Sequence, residues 1–213
     1  MLLEDYKSDS IIQSISSIFT VFYFLVKMVK NDSSFLNSIV PNATKFMAQN
    51  ILFAKQFCSF GINDLERLRK SNVFPPGTEI RGYDFTVRPD LISPVCVAFP
   101  EYPFLLGLKY PFTRVIEECF SKTGIPYIQT MPLVWRILHW INLLNECKGM
   151  NMGSGEIASV YDIRTFWSFW FLLRAKPGCI PLVEEFNEDD GLWKERYFFV
   201  KRSTIPNGEN VLI

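Results

Sequence analysis

A single histidine, His139, is the residue whose ordinary pKa best suits proton transfer at neutral pH, and it stands in the run Met131 to Cys147. At 100° per residue it falls beside Arg136, Asn142 and Glu146, on the side away from Ile137 and Ile141. General acid or base work needs a partner that orients the ring, and the sequence places none beside it, so a solvated surface histidine is expected. Other chemical candidates carry less. Gly153-Ser154-Gly155 has neither the G-x-S-x-G frame of a nucleophile elbow nor the Lys-Ser/Thr that closes a phosphate loop, and reads as a turn. Glu184, Glu185, Glu188, Asp189 and Asp190 crowd one segment without calcium-loop spacing, and read as a solvated hairpin tip. Cys58, Cys96, Cys119, Cys147 and Cys179 stand 23 to 38 residues apart with no C-x-x-C pair. With one histidine, that spacing gives no expectation of a soft-ligand zinc site. No metal, no other cofactor and no enzymatic activity are expected. An odd number of isolated thiols suits a reducing compartment, cytoplasm or nucleus.

The remaining chemistry lies in "GLWKERYFFVKR", where Lys194, Arg196, Lys201 and Arg202 bracket Tyr197, Phe198 and Phe199. Rings beside basic residues can stack on nucleobases, provided they are exposed on one flat face. Set against the RNA-recognition strand, Arg196 and Phe198 occupy the positions of its small residues, and Arg202 that of its last aromatic. Four apolar residues in series face both sides of a strand, so a core strand with charged ends is expected. Nucleic-acid contact through the four basic residues is the alternative. It would need a local patch, because 22 Lys and Arg balance 22 Asp and Glu and leave no net field.

The elements that hold these residues follow from punctuation and period. "LERLRK" after Asn63 or Asp64 reads as a short helix with Glu66 and Lys70 paired four apart. Ser71 to Pro94 is too rich in Pro and Gly for a helix and reads as irregular chain with one or two short strands. "VCVAF", Val95 to Phe99, is a strand. "PFTRVIEECF" is a helix with Gly124 as its left-handed terminator. Met131 to Cys147 is the strongest helix, its seam formed by Val134, Leu138, Ile141 and Leu144. A further helix begins near Ser154, and Asp162 can cap another through "IRTFWSFWFLLR". Cys179 to Phe186 and Glu195 to Arg202 read as the two strands of a closing β-hairpin around Asp190-Gly191. The expected class is α+β, mainly helical, a helical domain closed by that C-terminal hairpin.

Aromatic residues make up 15% of the chain, and each ring needs cover in a core or at a contact. Phe166, Trp167, Phe169 and Trp170 wrap almost around their expected helix; burial is one reading and a protein interface the other. Near the start, Ser10 to Val26 carries no charge, and Ile11, Ile15, Ile18, Phe22, Leu25 and Val29 step by four and three. An amphipathic helix packed on the domain or on a second subunit is expected there, a membrane anchor being the alternative. A second N-terminal helix is expected from about Pro41 to Phe60. Residues 1–61 thus read as a helical extension, 62–202 as the main domain and 203–213 as a tail.

Five segments in register, "INDLERLRKSNVFPP", "GLKYPFTRVIEECFSKTGI", "MPLVWRILHWINLLNEC", "FWSFWFLLR" and "GLWKERYFFVKR", resemble the plant gypsy-type transposon domain. This is the gag-associated N-terminal region of plant retrotransposon-derived reading frames. The likeness runs from Ile62 to Arg202, and its most specific pieces are Gly107-Leu108 with Pro111-Phe112, Trp135-Arg136-Ile137, and Trp193-Lys194 with Tyr197 to Val200. Tyr110 and Met131 depart from the family pattern. The resemblance implies no catalytic residues. It implies a non-enzymatic structural or assembly segment acting by protein association, self-association included.

Overall fold

Tyr197 to Val200 require cover on both faces, and the fold supplies it by placing this strand in the middle of a sheet. The computed structural model describes residues 59–82, 95–166, 170–183, 193–208 and 211. In them the chain forms helices α1 (Ile62–Lys70), α2 (Tyr102–Leu105), α3 (Arg114–Thr123), α4 (Pro132–Lys148) and α5 (Ser154–Val160). The strands are β1 (Ile80–Arg81), β2 (Cys96–Pro100), β3 (Tyr161–Phe166), β4 (Trp170–Ala175) and β5 (Tyr197–Lys201). The class is mixed α+β. The N-terminal segment Ser10 to Val26, and the expected second helix up to Cys58, lie outside the described residues.

β5 has β1 on one edge and β2 on the other, both antiparallel, with Ile80 opposite Val200 and Phe99 opposite Phe198. Its apolar residues Tyr197, Phe198, Phe199 and Val200 are at most 1% exposed. The core-strand reading is right, but the closing hairpin is not found. With both edges of β5 occupied, no edge remains for Cys179 to Phe186, and Cys179–Val183 lie outside any strand.

A second correction concerns "IRTFWSFWFLLR", which is not a helix but the antiparallel hairpin β3–β4, with Asp162 opposite Arg174 and Ile163 opposite Leu173. Aromatic and β-branched residues fit a pleated half-buried surface better than a helix apolar all round. The outer edge of β4 is capped where Met131 N–H donates to Phe171 O at 2.9 Å. The helices expected at α1, α3, α4 and α5 are present. Gly124 (φ 67°) and Gly149 (φ 60°) end α3 and α4 in the left-handed region, where a Cβ would be strained.

The rings expected to need cover largely find it in one another. Phe198 lies 5.3 Å from Phe60 and 5.6 Å from Phe104, centroid to centroid. Phe99 lies 5.4 Å from Tyr127, and Phe112 lies 5.3 Å from Trp135 on α4. This ladder ties the sheet to the helices. Phe60 at one end, and Ile205 and Val211 at the other, belong to the same core. The packed unit therefore extends past both boundaries expected at residues 62 and 202.

Candidate functional site

Each chemically promising residue has a definite place. Glu101, at the end of β2, is buried at 4% exposure and needs charge partners. Arg196, entering β5, supplies them: Nε donates to Oε2 at 2.7 Å and Nη2 to Oε1 at 3.0 Å. Arg196 Nη1 also donates to Asp64 Oδ2 at 3.1 Å, and Arg67 pairs with both carboxylates. The Arg196 hydrogen bond, with the nearby positive charge, holds the Asp64 carboxyl below its usual range. Two carboxylates and two guanidiniums sum to zero, so this cluster clamps α1, the β2–α2 junction and β5 together.

Lys194, Arg196, Lys201 and Arg202, the nucleic-acid candidates, do not converge on a groove. Arg196 is in the clamp. Lys201 pairs with Glu79 at 3.0 Å, and Arg202 Nη1 donates to the carbonyls of Gly208 and Val211, each at 2.7 Å. Lys194 lies over the Trp193 ring at 5.5 Å. Of the aromatic interface candidates, Trp170 is 1% exposed and packs edge-on against Trp193 at 4.5 Å, so it is core rather than contact. Trp167, Phe169 and the side chain of Phe166 lie outside the described residues.

His139 sits on α4, half-buried rather than solvated, with Nδ1 lacking a hydrogen-bond partner. Burial lowers its pKa despite the opposing charge of Glu146, so the ring is neutral at neutral pH. Asn142, expected on the polar side, is buried and donates to Glu146 Oε1 at 2.8 Å. Ser154 opens α5, and Lys122 Nζ donates to its Oγ at 2.7 Å while the Oγ lies 3.3 Å from Glu118 Oε2. That Lys122 is half exposed and beside Glu118, without the desolvation that makes lysine a base. Glu184, Glu185, Glu188, Asp189 and Asp190 lie outside the described residues.

Sequence reasoning passed over Glu117. Tyr127 O–H donates to its Oε2 at 3.0 Å, and burial raises its pKa above the usual carboxyl value. Tyr110, nearby in charge, is pushed up to about 12, chiefly by burial. No group of three His, Cys, Asp or Glu able to hold a metal occurs among the described residues. Among them, too, no helix is long and apolar enough to cross a membrane. An open depression of about 420 Å³ beside α1, lined by Asn63, Glu66, Arg67, Lys70 and Ser71, is walled by solvated charges.

The outward face of α4 differs in character. The seam Val134, Leu138, Ile141 and Leu144 is buried as expected, but Leu133, Arg136, Trp140, Leu143 and Cys147 are half-buried or exposed. At 100° per residue these five fall within an arc of about 80°. Trp140 is 47% exposed at the centre of the stripe. Arg136 flanks it, its guanidinium 5.3 Å from the Tyr102 ring on α2. An apolar stripe with a large exposed indole is the chemistry of a contact surface.

The sheets, the hairpin and this face define a mixed α+β domain with an exposed aromatic helix. No family model matches the chain, and neither a curated protein nor a solved structure matches it.

Proposed function

We propose that the chain acts by protein–protein association through the outward face of α4. The observation that carries this reading is Trp140, an indole 47% exposed between Leu133, Leu143 and Cys147 on a helix whose opposite seam is already packed. Tryptophan dominates contact energetics because one side chain removes a large apolar area from water. The reading also draws on the resemblance of five segments to a gag-associated region, which implies assembly rather than catalysis. An origin in a plant mobile element rests on that resemblance alone.

Nucleic-acid binding gains less, because Arg196, Lys201 and Arg202 are turned to internal partners. Sedimentation velocity over a concentration series tests the association. The native chain is expected to form larger species as concentration rises, and Trp140→Lys to abolish them while leaving the circular dichroism spectrum unchanged. A native chain that sediments as a monomer throughout would remove the proposal.

A further inference from the structure

Resting on the association reading, we infer that the occupant of the α4 face is a second copy of this chain, packed antiparallel about a twofold axis through Trp140. The stripe is self-complementary in position. Leu133 and Cys147 lie seven residues to either side of Trp140, as Ile137 and Leu143 lie three to either side. Reversing the helix about Trp140 therefore maps the stripe onto itself, the geometry that an isologous interface requires. Two antiparallel helices also oppose their dipoles.

Charge agrees with the same direction. Arg136 and Glu146 flank one side of the stripe, near its two ends. In an antiparallel pair like sides meet, so Arg136 of one copy comes within two residues, about 3 Å of axial rise, of level with Glu146 of the second. A parallel pair sets Arg136 against Arg136 and Glu146 against Glu146, which is repulsive at both ends. One helix pair is a small interface, so a reversible dimer with a dissociation constant of roughly micromolar order is expected. Trp140→Ala should weaken it by about 30-fold.

The test is a directed disulfide. Leu133→Cys places a thiol opposite the native Cys147 of the second copy only in the antiparallel register. Oxidation with copper-phenanthroline should give a covalent dimer whose linked peptides join 133 to 147, and Leu133→Cys/Cys147→Ser should lack that link. Trp140→Cys, at an exposed position, should link 140 to 140 on the axis. Links joining 133 to 133 or 147 to 147 would overturn the inference, since they report a parallel pair. A sample that self-associates by sedimentation but forms no 133–147 or 140–140 link also overturns it, while leaving protein association standing. A chain monomeric throughout removes both.

Discussion

Replacing Arg196 by methionine separates a structural arginine from a nucleic-acid contact. The guanidinium makes two charge-assisted hydrogen bonds to Glu101, at 2.7 and 3.0 Å, and reaches Asp64 at 2.8 Å. Without it, Glu101 stays buried at 4% exposure with Arg67 as its remaining charged partner. Removing one member of a buried ion pair costs about 3–5 kcal/mol. The Arg196 side chain is 26% exposed and Arg67 remains in place, so the loss belongs at the lower end, about 3 kcal/mol. In urea, with a slope of roughly 2 kcal/mol per M, that is a fall of about 1.5 M in midpoint. Pairing the change with Glu101→Met removes the stranded carboxylate and should recover about 2 kcal/mol, read as coupling in a double-mutant cycle. If Arg196→Met unfolds within about 0.5 kcal/mol of the native chain, the clamp is not a structural element and the reasoning fails.

Glu117→Gln should raise stability at pH 7 relative to pH 4, followed by chemical denaturation. Because the folded pKa of Glu117 is raised, its contribution is fully present below the unfolded value and lost as pH rises through the folded one. The difference between the two proteins should thus grow above the model-peptide value of 4.5; a difference independent of pH would refute the assignment. The difference is the quantity to read, because the lowered pKa of His139 acts in the opposite sense, adding stability as pH rises. Phe99→Ala, at a residue 0% exposed and touching Phe74, Tyr110, Tyr127 and Phe198, should cost about 3–5 kcal/mol by calorimetry or urea unfolding. A loss below about 1 kcal/mol would mean that the ring ladder is not the core.

Local periodicity carried much of this fold into the sequence, and pairings distant along the chain did not. α3 and α4 are bounded by residues that act within a turn, Thr113 or Pro132 at the start and Gly124 or Gly149 at the end. β5 could be read as buried on both faces because four apolar residues in series leave no polar side. Its neighbours could not, since Ile80 lies far along the chain from Val200 and only the folded sheet brings them together. The β3–β4 hairpin was misread because an all-apolar run has no helical or strand period, and its aromatic content was the available signal. Glu101 was missed for a similar reason, its partner Arg196 being 95 residues away. The α4 face was legible in part: Leu133, Trp140 and Leu143 are apolar residues left off a helix seam that is complete without them.

Hydroxyl-radical footprinting of Trp140 across a dilution series tests the central claim most directly, because it reads exposure of the proposed contact residue itself. The account predicts that Trp140 oxidises as a half-exposed indole in dilute solution and becomes protected as concentration rises, while buried Trp135 and Trp170 stay unreactive throughout. Oxidation of Trp140 that is the same at every concentration, in samples that sediment as larger species, would place the contact elsewhere and contradict the account.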